Sequence, residues 1–218
     1  MIYSRFFLKS FLLSLVAAGC STTQSSSLSI ASGLAQDQQL IESYGELRSP
    51  QTERYLLTLK ERLLQACPTG TSLHTITVLR SAPPMAFSPG PGIIAISRTL
   101  IMRLKNEAEL AFILAHELSH QILGHKIGAT FDPKLELEAD SSATKILIRA
   151  GYDPRAGAEA LLNSYDLSEM ASNRSTATHP QPTARVSEVW NVIHESGWRP
   201  PGSIDRRDFH LFKGNLTS

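Results

Sequence analysis

The run AHELSHQILGH, residues 115–125, sets three histidines and a glutamate into a segment that is otherwise mostly apolar. Nearly every position from Ala108 to Ala115 is apolar, so a helix here is buried on all sides rather than along one stripe. Asn106, with Glu109 three residues on, supplies an Asn form of the capping box, and Gly124 supplies a stop after Leu123. Burying imidazoles and a carboxylate in such a helix is costly unless something compensates them. Residues 116 and 120 lie one turn apart on one face, so the spacing suggests a cation held between His116 and His120.

A chain of 218 residues is long enough for one domain with a substantial core and short for two. A formal net charge of +1 without a long basic run argues against a nucleic-acid partner. At the N-terminus, Arg5 and Lys9, the apolar run FLLSLVAA and then AAGCS follow the order of a secretory signal peptide. The apolar run is shorter than the roughly 20 residues of a membrane-spanning helix. Ala18-Gly19-Cys20 resembles the bacterial lipobox, with Ala17 where leucine is usual, which makes Cys20 the expected lipidated N-terminus. Cleavage by an ordinary signal peptidase is the alternative. Ser21 after Cys20 resembles a lipoprotein sorted to the outer membrane, facing the periplasm. Cys67 then has no intramolecular partner and reads as a partly buried thiol at a helix end; without lipid on Cys20, the two could bridge. The expected organisation is a signal peptide over 1–19, a lipid-anchored Ser/Thr-rich tether over 20–33, one folded domain over 34–197 and a tail over 198–218.

Within that domain, apolar residues at helical spacing predict two helices between Leu34 and Ala66, separated at Pro50. LHTITVLR (73–80) predicts a strand, and MAFSPGPGIIAIS (85–97) a hairpin-like loop with a second strand. Further helices are expected over 135–150, 155–164 and 183–195, with the polar stretch SEMASNRSTATHP between the last two. The tail carries Pro200, Pro201 and Gly202 and yields no assignment.

Two imidazoles at i and i+4 suit a tetrahedral Zn²⁺, one ion per chain. Glu117, beside the first histidine, is placed to take a proton from a water that zinc acidifies, for attack on a carbonyl. A third ligand is required, and LELEADSSATKILIRAG offers Glu136, Glu138 and Asp140. Helical periodicity separates them. Glu136, Asp140, Ala143 and Leu147 share an inward face, whereas Glu138, Ser141, Lys145 and Arg149 form a solvated stripe. Glu136 is therefore the expected ligand, Asp140 the group that orients a ligating imidazole, and Glu138 a surface charge. His125 does not complete the metzincin pattern, because it follows His120 by five residues rather than six. It reads as a structural histidine or as one that supports the site from behind.

The blocks NEAELAFILAHELSHQILGH, ELEAD, AGYDP and THPQPTAR, in this order, resemble the HtpX/BepA-type gluzincin metallopeptidases, relatives of the CaaX prenyl proteases, over about residues 34–195. The resemblance implies an α+β, mainly helical, zincin-like domain with a small antiparallel sheet. It implies zinc on His116, His120 and Glu136, catalysis by Glu117 and support from Asp140. AFSPGPGIIAIS resembles the family's substrate-pairing strand, which makes Gly92, Ile93, Ile94 and Ala95 candidate substrate-binding residues on a sheet edge. His179 is a candidate oxyanion donor or an autoinhibitory plug of the metal site, beside the plainer reading of a helix-entry histidine. Arg185 is expected to fix that segment or to add a second donor. Together these features predict a membrane-anchored zinc endopeptidase acting on unfolded or misassembled cell-envelope proteins. The alternative is a chaperone-like or scaffold metal-binding protein with latent activity.

Overall fold

Ser49 and Asp132, each followed by a proline at the first helical position, start two of the core helices. Proline lacks an amide hydrogen that would be orphaned there anyway, and the cap side chains accept from Thr52 N and Lys134 N. The computed structural model describes residues 38–125, 132–164, 182–200 and 208–217. The expected signal peptide, Cys20, the tether and His179 lie outside the described residues.

After helical residues 38–44 come α1 (Pro50–Ala66), β1 (Thr75–Leu79), β2 (Ala86–Gly90), β3 (Ile93–Ser97) and α2 (Arg98–Arg103). Then follow α3 (Glu107–Ile122), α4 (Pro133–Arg149), α5 (Arg155–Ser164), α6 (Pro182–Glu195) and α7 (Asp208–Asn215). None of the described helices is long and apolar enough to cross a membrane.

α3 is the axle of the domain. Every residue from Glu107 to Ser119 is buried, as its unbroken apolar run requires, and α4, α5 and β2 pack around it. Asn106 caps it, accepting from Glu109 N at 2.9 Å. Glu107 is 1 % exposed, and its carboxylate accepts from the hydroxyls of Tyr55 and Tyr152, both at 2.7 Å. A buried carboxylate needs such donors.

The three strands lie in the order β1-β3-β2. β2 and β3 form the antiparallel hairpin that Pro91-Gly92 predicts, with Gly92 at φ +72°. A side chain at Gly92 would also collide with the His74 ring, so the turn needs glycine twice over. β1, however, pairs with β3 in parallel register, Thr75 opposite Ile93 through Leu79 opposite Ser97. The sheet is thus mixed rather than antiparallel. Alternation along a strand shows which face is buried and not which neighbour it takes.

The tail holds a helix that its proline-rich approach conceals. Phe209, Phe212 and Leu216 are buried, and Phe212 stacks on Tyr55 at 4.2 Å between ring centroids. Lys213 Nζ donates to the carbonyls of Met102 and Leu104, closing the free end of α2.

Candidate metal centre

α3 and α4 cross so that His116, His120 and Glu136 converge. His116 Nε2 lies 3.1 Å from His120 Nε2 and 3.4 Å from Glu136 Oε2, and His120 Nε2 lies 3.4 Å from Glu136 Oε1. These three side chains form a group that can hold a metal ion. Ser119 fixes the crossing, its hydroxyl lying 2.7 Å from Ala115 O and 2.9 Å from Ser142 Oγ on α4. The face assignment along α4 holds: Glu136 and Asp140 are buried, while Glu138, Lys145 and Arg149 are exposed.

Each histidine points one ring nitrogen at this centre and engages a partner with the other. His116 Nδ1 donates to Asp140 Oδ1 at 2.9 Å. Asp140 is itself clamped by Arg185 of α6, whose Nε and Nη2 donate to its two oxygens, both at 2.7 Å. Arg185 Nη1 also lies 3.5 Å from Glu136 Oε2. On the other side, His120 Nδ1 lies 2.9 Å from His125 Nδ1, and His125 Nε2 lies 3.3 Å from Glu138 Oε2.

The buried arm perturbs its own titration. Burial and the nearby Arg185 charge both favour neutral His116, yet its hydrogen bonds to Asp140 and Glu136 prevail and raise its pKa to about 9. Burial pushes the Asp140 carboxyl upward, but the bonds from Arg185 and His116 hold it below its ordinary value. Away from the site, burial raises the half-buried Cys67 thiol, at the end of α1, to about 11.

Glu117 is buried on α3 between the two histidines, and its backbone carbonyl lies 3.4 Å from Ser88 Oγ on β2. Gln121 completes that link: Gly92 N donates to its Oε1, and its Nε2 donates to Ser88 Oγ and Ile93 O. Sequence reasoning missed this bracket. The available signal was a glutamine one residue beyond His120, where the helix begins to leave the core.

The expected substrate edge moves. β3, with Gly92 at its start and Ile93, Ile94 and Ala95 within it, is the central strand, and Ile94 and Ala95 are completely buried. β1 occupies the side that an extended peptide would need. The outer strand nearest Glu117 is β2.

A mainly helical domain with a small sheet, in which one buried helix presents HELSH and the next contributes a glutamate, has the zincin-like metallopeptidase design. Residues 50–135 match the family model described as Peptidase family M48. Over that segment the chain is similar to the metallopeptidases of this family. That match includes His116, Glu117 and His120 and ends one residue before Glu136. The chain is also similar to the protein named mitochondrial metalloendopeptidase OMA1 of Schizosaccharomyces pombe, at 24 % identity over 223 aligned positions that take in 83 % of this chain. The chain spans 64 % of the length of that relative.

Proposed function

We propose that the protein is a zinc-dependent endopeptidase. The observation that carries this reading is the convergence of two imidazole nitrogens and one carboxylate: His116 Nε2 lies 3.1 Å from His120 Nε2 and 3.4 Å from Glu136 Oε2, and His120 Nε2 lies 3.4 Å from Glu136 Oε1. Two imidazoles and a carboxylate suit zinc and are the wrong donors for magnesium or calcium. Zinc bound there supplies Lewis-acid chemistry, polarising a scissile carbonyl and acidifying water.

The remaining work falls to the chain. His116, His120 and Glu136 hold the ion. Glu117 accepts the proton of the attacking water and returns it to the departing amine. Asp140 keeps His116 in the tautomer whose Nε2 lone pair is free, and Arg185 balances the buried carboxylates. An extended substrate adds to the outer edge of β2, where Ser88 connects the strand to the backbone of Glu117. The relative's description as a metalloendopeptidase supports cleavage within a polypeptide. The signal-like N-terminus and Cys20 support a lipid-anchored protein of the bacterial envelope, with unfolded or misassembled envelope proteins as substrates.

The test is casein digestion by the purified protein, with zinc content measured in parallel. Chelator abolishes cleavage and added zinc restores it. Glu117→Gln retains zinc and fold but loses roughly 10²-fold or more in rate, as general-base removal implies. Full activity in that variant removes Glu117 from the mechanism.

A further inference from the structure

His116 has a recognised kind of support in Asp140. On the other side of the centre, His120 meets a residue that lies beyond the end of its own helix. α3 ends with Gly124 at φ +69°. His125 N donates to His120 O at 2.9 Å, and Gly124 N to Gln121 O at 3.2 Å. This pair of bonds is the Schellman motif, which brings the second residue beyond the cap against the third-last residue of the helix. That contact is usually apolar. Here it joins two imidazoles, His125 to His120, with ring centroids 5.0 Å apart.

We infer that His125, backed by Glu138, is a positioning residue that fixes the ring plane and tautomer of His120; the inference rests on the zinc reading above. The protons can be placed in one consistent way. The Glu138 carboxylate only accepts, so His125 donates from Nε2 across the 3.3 Å contact. The Nδ1 of neutral His125 then accepts from His120 Nδ1 at 2.9 Å. His120 is left with its Nε2 lone pair directed at His116 Nε2 and Glu136, where the metal group converges. Ligating histidines generally need such an outer partner, and its loss typically costs 10- to 100-fold in metal affinity. Only the outer end of the arm meets solvent: the His125 side chain is 7 % exposed, whereas Glu138 is 44 % exposed and lines a cleft of about 570 Å³ with Leu123 and Lys134, and Lys134 Nζ lies 3.7 Å from Glu138.

The test measures Zn²⁺ affinity of the full chain by chelator competition, together with the visible spectrum of the Co²⁺-loaded protein. His125→Phe keeps a ring but removes the acceptor. It is expected to bind Zn²⁺ 10- to 100-fold more weakly and to shift the Co²⁺ bands. His125→Asn places an amide oxygen where Nδ1 stood, so it should recover most of the affinity while severing the link to Glu138. Glu138→Gln should weaken binding by less than His125→Phe. Circular dichroism of the metal-free variants confirms that each is folded. If wild type binds zinc and His125→Phe matches it in affinity and spectrum, the positioning role is overturned and the peptidase reading stands. If wild type binds no zinc, both fall together.

Discussion

The two histidines of the centre sit one turn apart on the same helix, yet they are held by opposite physical means. His116 is 4 % exposed and leans on Asp140, which is completely buried and clamped by an arginine 45 residues further along the chain. His120 leans on His125, five residues away, across a helix-ending turn, and the partly exposed Glu138 of α4 stands behind it. The first arm is tertiary, dry and charged; the second is aimed by a backbone motif and reaches solvent only at its outer end. Buried charges are strong only as a complete set, whereas a turn can lose its last member cheaply. Damage to the two arms should therefore be felt in different quantities: stability on one side, metal affinity on the other.

The largest contrast lies between two glutamates two residues apart. Glu136→Ala removes the carboxylate of the donor group and should abolish zinc retention through gel filtration, while Glu138→Ala should retain the ion. The reverse result in metal analysis would mean that the two faces of α4 are exchanged. Next, Asp140→Ala leaves Arg185 buried without its carboxylate, a change expected to cost about 3–5 kcal/mol in urea unfolding. His125→Ala should cost far less by the same measurement, and equal losses would erase the distinction between the arms.

A pH scan of the metal-free protein sharpens the comparison further. His116 is raised from its ordinary 6.5 to about 9, so folding takes up a proton in the window between those values. Its contribution to stability is complete below pH 6.5 and is lost as pH rises through about 9. The melting temperature of the metal-free protein should fall across that range. Zinc affinity should rise across it, because the ion must displace the same proton. A flat profile in both measurements would detach His116 from its buried carboxylates. The smallest effect belongs to the turn. Gly124→Ala meets no steric neighbour but forces a left-handed backbone on alanine, worth about 1 kcal/mol. Its zinc affinity should fall toward that of His125→Phe if the turn is what aims the ring.

The sequence was most legible where chemistry followed helical periodicity. His116, Glu117 and His120 share one helix, and Glu136 could be separated from Glu138 because a single turn of α4 alternates core and solvent. Arg185 could be placed on its helix, but its bidentate grip on Asp140 depends on how α6 packs against α4. The parallel pairing of β1 with β3 was illegible for a similar reason, since no local pattern encodes a neighbour across the sheet. That one pairing makes β3 a central strand and not the expected edge. His125 was read only as a structural or supporting histidine, because its contact with His120 depends on the backbone reversal at Gly124, which spacing along the chain does not show.

The helix in the tail gives the molecule a sense of time. Arg98 reaches Leu216 O across 118 residues of chain, and Lys213 reaches Met102 O across 111. Contacts this distant are slow to close and form only after the last helix has been made. A ribosome that has delivered α3 and α4 has already delivered HELSH and Glu136, but neither Arg185 nor the phenylalanine that stacks on Tyr55. The four residues of the proposed site are thus made before the residues that hold them in place.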